Sequence, residues 1–260
     1  MATRQTSPEA IERRPRSSRD GRSRPKARVH SLVGSLMIVA AALAACSSDA
    51  DNTQPGGSGP TSTPDPTSTA TPVPDSGAME PGTYVVTIGT AFDTAYRITI
   101  SVPGGWEGYD GWAVAGPAGM GVGFWNVDNV YADPCRWQGT LLDPPVGPRV
   151  DDLVAALANQ PRRHASTPTE VAVDGFAGKQ IELTVPASTA DCHEGEFRSW
   201  TEQPPVGGAS YHMPSEHDLL WIVDVDGDRL VIDAEFLPGT SAQDRAELLQ
   251  VVNSVRIDPL

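Results

Sequence analysis

Six side chains able to bind a metal or move a proton stand close together in one stretch of the chain. Cys192, His193, Glu194 and Glu196 lie in "DCHEGE", and His212 and His217 lie in "ASYHMPSEHD". Imidazole, thiolate and carboxylate are zinc ligands, but this spacing has neither paired cysteines nor two histidines one helical turn apart. A disulfide at Cys192 would also withdraw it as a ligand. Ser210 in "GASYH" lacks the second glycine of a Gly-x-Ser-x-Gly elbow, and no strained strand-to-helix turn is read around it to activate the hydroxyl. "DVDGD", Asp224 to Asp228, clusters three carboxylates without EF-hand spacing and reads as a hairpin turn rather than a calcium loop. In "GPAGMGVGFW" the glycines at 116, 119, 121 and 123 lead into strand-like residues. A pyrophosphate loop needs a helix N-terminus there, so this reads as a turn entering a strand. No catalytic residue, metal ligand or cofactor is assigned.

The elements that would carry these residues are mostly strands. In "AYRITISV", Tyr96, Ile98, Ile100 and Val102 alternate with Arg97, Thr99 and Ser101, the period of a half-buried strand. "TEVAVDGFAGKQIELTV" reads as a hairpin setting Val171 and Val173 against Ile181, Leu183 and Val185 around Asp174-Gly175. "LLWIVDVDGDRLVIDAEF" reads as a second, setting Leu219, Trp221, Val223 and Val225 against Leu230, Ile232, Ala234 and Phe236 around Asp226-Gly227. Two helices follow from 3.6-residue spacing. One is "VDDLVAALANQ", capped by Asp151 or Asp152. The other is "TSAQDRAELLQVVNSVRI", starting at Thr240 or Ser241, with Leu248, Val251, Val252 and Val255 on one face. Strands with a closing helix give an α+β class: an antiparallel sheet with helices packed on its faces.

These elements in this order, from "YRITISVPGGW" to "LLQVVNSVRI", resemble the PsbP-like fold. That fold is shared by the photosystem II extrinsic subunit and the LpqN-type lipoproteins of mycobacteria and their relatives. The resemblance covers most of residues 82–258 and implies an antiparallel sheet flanked by helices. It also implies a binding or assembly role, with no shared catalytic residues. The stretch 186–217 departs from a compact version of that pattern.

Ahead of this lies an export signal. Nine basic and three acidic residues precede an apolar run from Leu32 to Ala45. At 14 residues the run is shorter than the roughly 20 needed to span a bilayer. Basic flank, short apolar core and small final residues make a secretory signal. "LAAC", Leu43 to Cys46, resembles the lipobox of bacterial lipoproteins. That resemblance implies cleavage before Cys46, a thioether-linked diacylglycerol on its sulfur, and a further acyl chain such as palmitate on the new amino group. Two or three chains hold a protein stably where one does not. Ordinary cleavage after Ala44 is the alternative.

The organisation read from the sequence is therefore a signal peptide over 1–45, a lipidated N-terminus and disordered Ser/Thr/Pro linker over 46–78, and one extracytoplasmic domain over 79–260. The linker, too polar to offset its ordering entropy, would reach about 30 Å as a coil and about 100 Å extended; its threonines and prolines also permit O-glycosylation. Seventeen Arg against two Lys fits a high-GC genome. Past the leader, ten basic residues face 30 acidic ones, a net charge of −20, which excludes nucleic acid as a partner of a basic patch. Cys135 and Cys192, an even pair outside the cytosol, are expected to form a disulfide. Six tryptophans in one domain leave open whether they line a core or an exposed carbohydrate- or lipid-binding face, although Trp221 alternates with core positions.

Three functions stay in view. The first is a non-enzymatic binding or assembly module on the outer face of the cytoplasmic membrane, anchored through lipid on Cys46, with an envelope protein or glycan as partner. It predicts no cluster of strongly perturbed titratable groups in a pocket. The second is a cell-wall hydrolase with its site in the 190–217 loops, which requires Ser210, a histidine and a carboxylate within hydrogen-bond reach. The third is a metal- or solute-capturing lipoprotein, which requires three or more converging ligand atoms.

Overall fold

Two Asp-Gly turns organise the chain. Asp174-Gly175 and Asp226-Gly227 all have positive φ, the conformation of a two-residue hairpin turn, and the Asp224 carboxylate accepts a hydrogen bond from the Gly227 amide at 2.7 Å. The "DVDGD" carboxylates therefore serve the turn. The computed structural model describes residues 71–88, 96–202 and 209–260. The leader, the lipobox with Cys46 and the first part of the linker lie outside the described residues.

The strands in chain order are β1 (Thr71–Pro72), β2 (Ser76–Ala78), β3 (Gly82–Val86), β4 (Tyr96–Val102), β5 (Glu107–Tyr109), β6 (Ala113–Ala115), β7 (Gly121–Trp125) and β8 (Val127–Val130). After helix α1 (Val150–Ala158) come β9 (His164–Ala165), β10 (Thr169–Val173), β11 (Phe176–Thr184), β12 (Trp200–Glu202), β13 (His217–Val225) and β14 (Asp228–Phe236). Helix α2 (Ala242–Asn253) and β15 (Arg256–Pro259) close the chain. The large sheet runs β10-β11-β13-β14-β7-β6-β5-β2, all antiparallel, with β9 pairing β11. A smaller sheet, β1-β3-β4-β15, contains one parallel pair, and β12 pairs β8. The α+β class holds.

Alternation along β13 and β14 sends Trp221, Val223 and Val225 with Leu230, Ile232 and Ala234 to one face. There they meet the small sheet and Leu248, Val251 and Val252 of α2. Leu220, Ile222 and Val231 go to the other face, against Leu153, Val154 and Leu157 of α1. The two helices thus cover opposite faces, and "LLWIV" is buried on both sides, as a central strand requires. The register of the second hairpin is the expected one: Leu219 lies opposite Ala234, Trp221 opposite Ile232, and Val223 opposite Leu230.

The first hairpin differs from its sequence reading. Val171 lies opposite Gly178 and Val173 opposite Phe176, while Ile181 and Leu183 pack on the α1 face. Because facing residues share a side, Ile181 and Leu183 fall one register step away from Val171 and Val173. The helix caps divide similarly. Ser241 caps α2, its hydroxyl accepting from the Asp244 amide at 3.1 Å. In α1 the N-cap is Arg149 instead of Asp151 or Asp152, and Asp152 at the third helical position accepts from the Arg149 amide at 3.1 Å.

The folded part also begins earlier than residue 79. Thr71–Pro72 pairs with Tyr84–Val85, Ser76–Ala78 pairs with Glu107–Tyr109, and Val73 is 3% exposed within the core. The Cys135–Cys192 disulfide is formed, with S–S 2.06 Å.

Gly178 marks the tightest approach in the large sheet. A Cβ there would press into the Ile222 carbonyl oxygen and lie 2.7 Å from Val223 Cγ1. Gly178→Ala is expected to lower stability by about 1–3 kcal/mol, read by urea denaturation, because two paired central strands have no room to part.

Candidate functional site

The α1 face of the large sheet carries charge where its alternation should place apolar residues. Asp218 on β13 and Asp233 and Glu235 on β14 share the side of Leu220, Ile222 and Val231, because Asp218 lies opposite Glu235 and Leu220 opposite Asp233. Their partners across β14–β7 are Gly123 and Gly121, which contribute no side chain. Around these acids close Arg163, from the segment after α1; Glu216, just before β13; and His212, whose amide donates to the Phe197 carbonyl at 3.0 Å.

The result is a buried ion network. The Arg163 and Asp218 side chains are both 0% exposed, and Arg163 Nη2 donates to Asp218 Oδ2 at 2.6 Å. Arg163 Nη1 donates to Gln160 Oε1 at 3.1 Å and to Ser199 Oγ. Gln160 Nε2 in turn donates to the Ser199 carbonyl at 2.7 Å and the Tyr131 carbonyl at 3.0 Å, fixing the guanidinium between α1 and the strand that carries Trp200. On the other side of Asp218, His212 Nδ1 lies 3.3 Å from Asp218 Oδ1 and 2.9 Å from Glu216 Oε1. Glu216 Oε2 accepts from the Met213 amide at 3.0 Å.

Burial and neighbouring charge set the protonation of these groups. Burial alone disfavours the imidazolium, but Asp218 and Glu216 outweigh it and push His212 up to about 10. For Asp218 burial works against ionisation, yet the His212 and Arg163 charges hold it down at about 2. Burial, with Asp218 beside it, raises Glu216 despite the His212 hydrogen bond. Burial and the Asp218 and Glu235 charges raise Asp233 well above its ordinary value. Glu235 is pushed up to about 8 by burial and by Glu216 and Asp218. Burial lowers Arg163 below its ordinary value.

Above Glu216 and Glu235 opens a pocket of about 330 Å³, walled by Tyr109, Trp112, Met120, Tyr211 and Met213. Gly121 and Gly123 make room for its inner wall. A Cβ on Gly121 would lie 3.2 Å from Glu235 Oε1, and one on Gly123 would lie 2.9 Å from the Trp112 ring. Tyr109 and Tyr211 are each 56% exposed at the rim. An aromatic row runs inward: Trp112 on Trp125 at 4.4 Å, Trp125 on Trp200 at 5.6 Å, and Trp200 on His212 at 5.2 Å between ring centroids. Trp106, Trp200 and Trp221 are buried and the other three are half-buried; of these, Trp112 lines the pocket. The glycine-rich stretch at 116–123 is a turn entering β7, as read, and it forms one pocket edge.

The candidates named from sequence scatter. Cys192 is in the disulfide. His193 accepts from the Gln138 amide at 3.4 Å, Glu194 accepts from Gln138 Nε2 at 2.9 Å, and Glu196 pairs with Arg198. His217 pairs with Glu182 at 2.9 Å and stacks on Phe236. Of those six, only His212 enters the network. Ser210 Oγ accepts from the Ser199 amide at 2.8 Å and the Trp200 amide at 3.0 Å, tying its segment to the start of β12. Among the described residues no hydrogen bond joins it to a histidine, so the geometry required of a serine hydrolase is not formed there. The expectation that a binding module would show no perturbed titratable cluster by a pocket is overturned, because Glu216 and Glu235 border one. The signal that was available is the placement of Asp218 and Asp233 inside the otherwise apolar runs "HDLLWIV" and "LVIDAEF".

No family model matches the chain, and no curated protein matches it. Among solved structures, the chain is similar to LpqN of Mycobacterium tuberculosis, a protein involved in cell envelope biogenesis. Identity is 12% over 71% of this chain and 91% of that one, with a TM-score of 0.29. It is also similar to the cyanobacterial PsbP of Synechocystis, at 12% identity over 66% of this chain and 97% of that one, with a TM-score of 0.28. Likenesses of this size carry no argument here, and the α+β assignment rests on the sheets and helices themselves. Among the described residues no helix is long and apolar enough to cross a membrane.

Proposed function

We propose that the chain is an extracytoplasmic binding module, held at the cell envelope by lipid on Cys46, whose pocket takes a small amphiphile with an apolar tail and an amine head. The reading rests on one observation: a pocket walled by aromatic and methionine side chains whose polar floor is two acids, Glu216 and Glu235. Aromatic walls supply apolar contact, and above about pH 8, where Glu235 ionises, the acid floor selects a cation over an anion. The one nucleophile singled out in the sequence, Ser210, accepts two backbone hydrogen bonds, which supports binding over catalysis. The leader, the "LAAC" motif and the resemblance to PsbP-like lipoproteins support the envelope location.

The test is calorimetric titration of the mature chain with octylamine, octanol and octanoate at a pH of about 9, above the Glu235 value and below that of the amine. Octylamine should bind most tightly and octanoate most weakly. Trp112→Ala should weaken octylamine binding by about tenfold, the loss of one aromatic contact. Equal binding of all three, binding of none, or an undiminished affinity in Trp112→Ala would overturn the reading.

A further inference from the structure

The ion network gathers more acids than bases. Four carboxyl groups, Glu216, Asp218, Asp233 and Glu235, meet on the α1 face of the large sheet, and the basic side chains that face them are Arg163 and His212. Three of the donor atoms converge. His212 Nδ1, Glu216 Oε1 and Asp218 Oδ1 all lie within 4.8 Å of one another, with the histidine nitrogen 2.9 and 3.3 Å from the two oxygens. Two donors bound to one first-row ion at about 2.1 Å stand roughly 3.0 Å apart in an octahedral arrangement and roughly 3.4 Å apart in a tetrahedral one. The two nitrogen–oxygen spacings are close to those edges.

Each ligand is also oriented from behind. Arg163 holds Asp218 Oδ2, and the Met213 amide holds Glu216 Oε2, so the free oxygen of each carboxylate faces the imidazole. Outer partners of this kind fix the ligands of metal sites. A second, separate observation points to a missing ligand. Asp218 Oδ1 is fully buried and, beyond its 3.3 Å approach to His212 Nδ1, has no hydrogen-bond partner; Asp233 Oδ1 nearby is also buried and unpartnered. The pocket that reaches Glu216 gives an ion its way in.

We infer that His212, Glu216 and Asp218 form a binding site for a divalent first-row metal ion. One nitrogen and two carboxylate oxygens suit zinc, manganese or iron rather than calcium, which takes oxygen ligands alone. Binding replaces the Nδ1 proton of His212, which leaves to solvent, while Asp218 keeps its Arg163 bond and the ion completes its shell with water or Glu235. The inference rests on the buried triad and stands whether or not the pocket binds an amphiphile.

The experiment is cobalt(II) titration of the mature full chain after chelation and dialysis, read by visible absorption, with zinc(II) competition followed by elemental analysis. The wild type should take up about one equivalent, show a d–d band that zinc abolishes, and melt at a higher temperature with zinc than without it. His212→Gln should lose the band, and His217→Gln, outside the cluster, should keep it. If His212→Gln does not fold, Glu216→Gln, whose side chain lies at the edge of the network, gives the same reading. No band in the wild type, or an equal band in either triad variant, overturns the site.

Discussion

Arg163→Ala should lower the free energy of unfolding by about 3–5 kcal/mol, as measured by urea denaturation of the metal-free chain. Arg163 and Asp218 are both wholly buried and joined at 2.6 Å. Removing the cation leaves a carboxylate in the interior with His212 alone to face it, and breaking a buried pair from one side carries this cost. The same substitution strands Gln160 Oε1 and Ser199 Oγ, both of which accept from the guanidinium. Native stabilities of about 5–15 kcal/mol make such a loss a large fraction of the whole. The double variant Arg163→Met, Asp218→Leu removes both charges and should recover most of the loss, since apolar replacement of a buried pair is often neutral. A loss below about 1 kcal/mol in the single variant would mean that water reaches the pair.

The second large effect is that of the disulfide. Cys135 and Cys192 are separated by 57 residues, and the chain-entropy account gives about 4 kcal/mol for a loop of that length. The double variant Cys135→Ser, Cys192→Ser should therefore approach that loss under oxidising conditions, and dithiothreitol should bring the wild type down to the same value. The bond also has a local task. Cys135, Val185, Cys192 and Phe197 form a small core of their own, and the Arg198 amide donates to the Pro134 carbonyl at 3.0 Å. That core holds the segment from which Phe197 and Ser199 reach the ion network. Its loss should loosen His212, visible as faster exchange of the His212 amide that donates to Phe197.

Much of this arrangement is legible in the sequence because it is encoded locally. Asp174-Gly175 and Asp226-Gly227 specify their hairpins by turn chemistry, Ser241 specifies its helix by its hydroxyl, and the second hairpin follows from alternation. What escapes the sequence depends on distant partners. Strands Thr71–Pro72 and Ser76–Ala78 have two and three residues each and exist only because Tyr84–Val85 and Glu107–Tyr109 pair with them. In a Ser/Thr/Pro-rich stretch nothing local announces them.

The site was hidden by a related cause. Alternation in "HDLLWIVDV" and "DRLVIDAEF" reads Asp218 and Asp233 as residues of a solvated face. In the fold that face lies under α1, residues 197–200 and His212, so the acids become interior charges. Arg163, in "PRRHAS", belongs to no pattern and is placed by Gln160 and Ser199 across the fold.

The central claim is that ligand enters the pocket between Trp112 and the Glu216–Glu235 floor. The most direct measurement is a 1H–15N spectrum of the indole groups as octylamine is added to the mature chain. Trp112 should shift most and Trp125, stacked on it at 4.4 Å, next, while Trp137 beside His193 and Trp221 on the opposite sheet face stay in place. A spectrum in which Trp112 is unmoved at saturating octylamine, or in which Trp137 or Trp221 moves instead, would contradict the account.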